Sequence, residues 1–131
     1  ATRGRLVRSL GGEPVDRGVS TGPIARLAEN INRSGWYWMA ITPEGTRSKK
    51  PYWRSGFYHI ATTAKVPLGC AYFDFAKREV SLVDYLNLTG EREQDMSSIA
   101  AIYQGVQGCH PAQAGPIALR PEEANETNIQ G

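Results

Sequence analysis

The sequence predicts an α/β domain with a mainly parallel sheet, flanking helices and a β-hairpin. Three observations carry that expectation. Two continuous apolar runs, Trp36–Ile41 and Val66–Phe75, read as strongly apolar strands, the first buried on both faces as in a parallel sheet. Segments of helical apolar spacing precede and separate them, giving the order strand, helix, strand, helix, strand, hairpin return and helix. The chain has 131 residues and 40% hydrophobic content, enough for one core in one domain.

The same composition excludes other classes. A net charge of only +2 at this apolar content is not that of a disordered chain. Neither apolar run approaches the ~18 residues needed to cross a bilayer. Ala1–Leu10 is basic but has no apolar segment behind it, so no signal peptide is read there. Cys70 and Cys109 cannot build a disulfide framework, and a reducing, cytoplasmic setting is expected. Charge is unevenly placed. Residues 1–80 hold 13 Lys or Arg against 6 Asp or Glu, whereas residues 81–131 hold 2 against 7. A basic front half is the side expected to meet anionic ligands.

Taken in order, Arg3–Leu10 reads as the last turns of an amphipathic helix ending at Gly11 and Gly12, a helix end without a beginning. Glu13–Arg17 reads as a short strand, with Pro14 at an edge or first position. The first full helix starts at the capping groups of Ser20, Thr21 and Gly22, with Pro23 in its first turn. Ile24, Leu27, Ala28 and Ile31 form its apolar stripe, and Gly35 ends it. The buried strand Trp36–Ile41 follows, and Thr42–Ser48 is loop. A second helix is expected over Pro51–Lys65, with Trp53, Phe57, Ile60, Ala61 and Ala64 inward and Gly56 as a weak point. Val66–Phe75 is the next strand, Ala76–Glu79 the turn, and Val80–Leu86 the returning strand of a hairpin. A last helix spans Glu91–Val106, its acidic first turn suited to the positive end of the helix dipole. Residues 1–110 thus form one domain, incomplete at its amino-terminal end, and residues 111–131 read as a polar tail.

Ligands of open parallel sheets bind beyond the carboxyl ends of strands, where the Thr42–Ser48 loop is expected. Gly45 permits close backbone approach, Thr46 and Ser48 supply hydroxyls, and Arg47 offers a planar fork for phosphate or carboxylate. Lys49, Lys50 and Arg54 follow closely. The alternative is a solvated turn that happens to be basic. The aromatic residues Trp36, Tyr37, Trp38, Tyr52, Trp53, Phe57 and Tyr58 are expected to pack mainly in the core rather than stack on bases, so no nucleic-acid partner is expected. Tyr52 and Trp53 beside Lys49 and Lys50 also suit peripheral contact with a membrane surface. No Cys/His/Asp cluster has metal-ligand spacing, and no phosphate-binding Gly-Lys-Ser/Thr loop is present.

Thr42-Pro43-Glu44-Gly45-Thr46-Arg47-Ser48, followed by Trp53–Ala61 and Val66-Pro67-Leu68, resembles the glycerolipid acyltransferase family, the lysophosphatidic acid acyltransferase-like proteins. Gly11–Arg17 matches a second block of that family, and the likeness runs from about Leu6 to Gly108. The resemblance implies a truncated form of the family's fold. It also implies transfer of an acyl chain from acyl-CoA or acyl-carrier protein, as co-substrate rather than bound cofactor, to a hydroxyl of a glycerol-phosphate-like acceptor. By that analogy Arg17 and Arg47 hold the acceptor's anionic group, while Glu44, Gly45 and Thr46 shape its pocket. The acceptor would be an anionic small molecule or lipid, met in the cytoplasm or at the inner face of the membrane.

The family's first block is His-x-x-x-x-Asp, whose His is the general base on the acceptor hydroxyl. The two histidines here do not supply it, because His59 is followed five positions on by Ala64 and His110 by Gly115. Cys70 reads as an inert core thiol, and the adjacent Cys109 and His110 are not aimed at each other. No catalytic residue is therefore assigned, and this chain alone is expected to be inactive in transfer. The alternative is a short, non-catalytic binding or interaction module that keeps the fold, with a homodimer covering the apolar face that truncation exposes.

Overall fold

The computed structural model of the chain describes residues 22–121. It is a mixed α/β arrangement of three helices, one antiparallel hairpin and a short 3₁₀ turn. Helix α1 spans Gly22–Arg33, α2 spans Gly56–Ala64, strands β1 and β2 span Leu68–Asp74 and Glu79–Leu86, α3 spans Arg92–Ile102, and Pro111–Gln113 forms the 3₁₀ turn. The helix and strand expected over Arg3–Leu10 and Glu13–Arg17 lie outside the described residues.

Helix α1 follows its apolar spacing. Ala28 is buried, Ile24, Leu27 and Ile31 are half-buried, and α1 lies against α2. Helix α2 begins at Gly56 rather than near Pro51. Residues 51–55 are held in another way: Trp53 donates its backbone N–H to the Ala118 carbonyl at 2.7 Å and forms a parallel bridge with Leu119. Gly56 is accordingly the first helical residue, where its flexibility does little harm. Lys65 closes α2 in the left-handed region at φ 55°, a rare conformation for a residue with a side chain.

The expected hairpin is present. Leu68 faces Leu86 and Asp74 faces Glu79, with an irregularity between Cys70 and Ala71 where the register shifts. Alternate residues of β1 face inward, with Cys70 and Asp74 buried and Leu68 and Tyr72 half-buried. The turn occupies residues 75–78. The buried Asp74 organises it by accepting hydrogen bonds from the amides of Ala76 at 3.0 Å and Lys77 at 3.1 Å.

Helix α3 covers Arg92–Ile102, shorter than the expected Glu91–Val106, because Tyr103 leaves helical geometry and Gly105 turns at φ +80°. Its inward residues Met96 and Ile99 join Phe57, Tyr58 and Leu119 in the core, with Trp53, Leu68, Leu86, Leu88, Tyr103 and Ile117 around them.

Three expectations need correction. The only sheet among the described residues is the antiparallel pair β1–β2, so the mainly parallel sheet is not found there. Trp36–Ile41 is neither a strand nor buried. Trp36 is 81% and Trp38 75% exposed, and Tyr37, Met39 and Ile41 are exposed too. An apolar run becomes a doubly buried strand only when neighbouring strands take its N–H and C=O groups and layers cover both faces. No described strand lies beside this one. The aromatic residues divide accordingly: Phe57 and Tyr58 are buried and Trp53 is half-buried, while Trp36, Tyr37, Trp38 and Tyr52 are exposed. Finally, residues 111–121 are not a loose tail. Leu119 reaches the core, and Gly115 lies so close to the Lys50 carbonyl that a Cβ there would clash with it.

Candidate functional site

The loop after Ile41 is shaped by its own residues. Pro43 has a ring-fixed φ suited to the second position of a turn, and the Gly45 amide closes that turn on the Thr42 carbonyl at 3.1 Å. Gly45 sits at φ +63°, in the left-handed region that glycine enters without steric cost. The chain then folds over Arg47: the Thr46 and Ser48 hydroxyls meet at 3.1 Å, and the Ser48 amide donates to Thr46 Oγ1 at 3.3 Å. Glu44, Gly45, Thr46 and Arg47 are all exposed. The structure therefore brings four of the five expected site residues into one open turn. Arg17, the fifth, lies outside the described residues.

A neighbouring segment is tied to this loop. Arg54 donates its backbone N–H to the Pro43 carbonyl at 2.8 Å. Its side chain crosses the face of Gly45, where a Cβ would stand 2.7 Å from Nε and 2.8 Å from Cδ of Arg54. Trp53, one residue earlier, is anchored from the other side by Ala118 and Leu119. Residues 53 and 54 thus link the loop to the core. Contact between Arg54 and Gly45 was not foreseeable from sequence spacing, although the basic residues after the loop were visible.

Between Thr42 and Arg54 stand four cationic side chains, Arg47, Lys49, Lys50 and Arg54, and one carboxylate, Glu44. Such an excess of one sign on exposed groups attracts anions. Beneath the loop, Glu44, Ser48, Lys50, Tyr52, Trp53, Gln113 and Gly115 line a void of ≈ 10 Å³. That is room for about one water molecule, so this void does not hold a larger ligand.

The other reactive groups have structural surroundings. Burial pushes the Cys70 thiol above its ordinary value, which disfavours the nucleophilic thiolate. His59 is half-buried on α2 and meets the Tyr58 ring edge-on, with centroids 6.1 Å apart. His110 precedes the 3₁₀ turn, and its carbonyl accepts from the Gln113 amide at 2.9 Å. Among the described residues no three His, Cys, Asp or Glu side chains gather around a common point. Nor is any described helix long and apolar enough to cross a membrane.

A second polar centre was missed by sequence reasoning. The buried Asp95 carboxylate accepts from the Tyr58 hydroxyl at 2.8 Å, the Thr89 amide at 3.0 Å, the Thr89 hydroxyl at 2.8 Å and the Gly90 amide at 3.0 Å. Burial alone would raise this carboxyl, but the bonds from Thr89, Tyr58 and Gly90 outweigh it and hold it below its usual value. Burial, then the bond to Asp95, push the Tyr58 hydroxyl up to about 12. With every strong acceptor position engaged by the fold, this centre joins α2, the 87–91 loop and α3. It offers nothing to a ligand. An acidic residue in a first helical turn reads as dipole compensation, and no sequence signal marks it as a buried hub.

No family model, no curated protein and no solved structure matches the chain.

Proposed function

We propose that this chain is a domain derived from a glycerolipid-type acyltransferase and that its Thr42–Ser48 loop binds the phosphate of a glycerol-phosphate-like acceptor. The observation that supports this reading most is the loop itself. Its Thr42–Ser48 sequence carries the family resemblance, and its folded form leaves Thr46, Arg47 and Ser48 on an open turn with Gly45 in the left-handed region. Hydroxyl and guanidinium donors on an exposed backbone turn suit a phosphate. Arg17 belongs to the same reading as a second cation on that phosphate. The finer expectation of a parallel, acyltransferase-like sheet rests on the resemblance as well.

In acyl transfer the acceptor hydroxyl attacks the thioester carbonyl, its proton passes to a base, and the thiol of the donor departs. This chain has residues for holding the acceptor but no His-x-x-x-x-Asp to take the proton. Purified chain incubated with acyl-CoA and lysophosphatidate is therefore expected to form no phosphatidate above background, measured by thin-layer chromatography of a labelled acyl group. Sustained product formation would show that another residue serves as base.

One observation favours a second reading, a non-catalytic interaction module. Trp36, Trp38, Phe73, Phe75 and Val80 are each more than half exposed, an unusual density of apolar surface for a monomer. A second copy of the chain or a membrane interface is a suitable cover for it. Both readings share the anion-binding loop and differ in whether the domain contributes to transfer.

A further inference from the structure

We propose that Arg54 is a further guanidinium of the anion site, beside Arg47 and Arg17, admitted to it by the missing side chain of Gly45. The inference rests on the reading of the Thr42–Ser48 loop as a phosphate site and adds to it a residue from outside the loop. Arg54 is fixed to the loop twice. Its amide donates to the Pro43 carbonyl at 2.8 Å, and its Nε and Cδ lie within 2.8 Å of where a Cβ of residue 45 would stand.

That placement has a chemical consequence. The Arg54 side chain lies against Gly45, in the same exposed turn that carries Thr46 and Arg47. Among the described residues its guanidinium makes no hydrogen bond or ion pair, and Arg54 is exposed. Its N–H donors thus have no acceptor among the described residues, and a guanidinium in that state suits an anionic ligand. A guanidinium with a purely structural task at the surface would instead be expected against a carboxylate or a helix carboxyl end. Glu44, the loop's own carboxylate, makes no ion pair with it and is itself exposed. Gly45 therefore has two roles: it permits the left-handed turn and it leaves the face over which Arg54 lies.

The test is isothermal titration of the full chain with glycerol 3-phosphate, comparing the parent with R47A, R54A, R54K, G45A and the G45A/R54A double variant. Thermal melts of each accompany the titrations. R54A is expected to weaken binding about tenfold, the effect of losing one charge-assisted bond pair at an exposed site. Its melt should be unchanged, since the side chain is exposed. R54K should recover only part of the affinity, because a point charge replaces a fork. G45A should also weaken binding, and the double variant should bind no worse than R54A, the non-additivity expected when one residue acts through the other. If R47A weakens binding while R54A leaves it unchanged, the proposal is overturned and the loop reading stands. If the parent does not bind, or neither arginine matters, the loop reading falls and the proposal with it. Additive loss in G45A/R54A would overturn the part assigned to Gly45.

Discussion

Asp95→Ala is expected to destabilise the domain by about 3 kcal/mol or more, the largest effect of any single polar truncation in the described structure. The carboxylate accepts from one hydroxyl of α2, one hydroxyl of the 87–91 loop and two loop amides, and it is 4% exposed. Alanine leaves the Tyr58 hydroxyl and the Thr89 and Gly90 amides without their acceptor, and each unsatisfied buried donor carries its own desolvation cost. Asp95→Asn preserves shape but removes the charge and should fall between the two in urea unfolding. The acid limb follows from the same geometry. The folded carboxyl is held below its unfolded value by its bonds despite burial, so its contribution is fully present above about pH 4. It is lost as pH falls through the folded value. Tyr58 gives the alkaline counterpart. Its folded value is raised to about 12 from 10.0, so its contribution is complete below pH 10.0 and fades as pH rises towards about 12. In Asp95→Asn the acid limb should vanish, while the alkaline limb should shrink only in part, because burial, the larger cause of the Tyr58 shift, remains.

A chain ending at His110 should be less stable by about 2–4 kcal/mol, on the scale of deleting one buried leucine with its backbone contacts. The segment removed places Leu119 against Phe57, Tyr58, Met96 and Ile99, and its Ala118 carbonyl accepts from Trp53. Arg120 also offers its carbonyl to the Arg92 guanidinium at 3.2 Å. For a domain of this size, with total stability of order 5–15 kcal/mol, such a loss is large. Leu119→Ala in the full chain should reproduce most of it. A melt unaffected by both changes would mean that residues 111–121 contribute nothing to the core. Because Trp53 is anchored by this segment and Arg54 by the loop, the truncation is also expected to loosen the candidate site.

What the sequence makes legible here is local. Helix α1 is readable because Ile24, Leu27, Ala28 and Ile31 repeat at the helical period, and one face is enough to specify it. The hairpin is readable because β1 and β2 are sequence neighbours joined by a polar turn. Trp36–Ile41 fails for the opposite reason: its state depends on partner strands, and six apolar residues do not say whether those partners are in place. Leu119 ends a run of only three apolar residues, Ile117–Leu119, between two prolines, and its distant bridge to Trp53 gives it a core position. Asp95 carries no mark of burial in its sequence context. At the candidate site, the turn was legible from Pro43 and Gly45 and the donors from Thr46, Arg47 and Ser48. Approach of Arg54 to Gly45 was not, because it depends on where residues 53 and 54 are pinned.

The most direct test of the central claim, that Thr42–Ser48 is an anion-binding loop, is an amide chemical-shift titration of the full chain with glycerol 3-phosphate. Saturable shifts are expected, centred on Gly45, Thr46, Arg47 and Ser48 and extending to Arg54, with α3 and the 75–78 turn unmoved. Saturable shifts elsewhere with the loop silent, or none at concentrations that saturate phosphate sites, would contradict it.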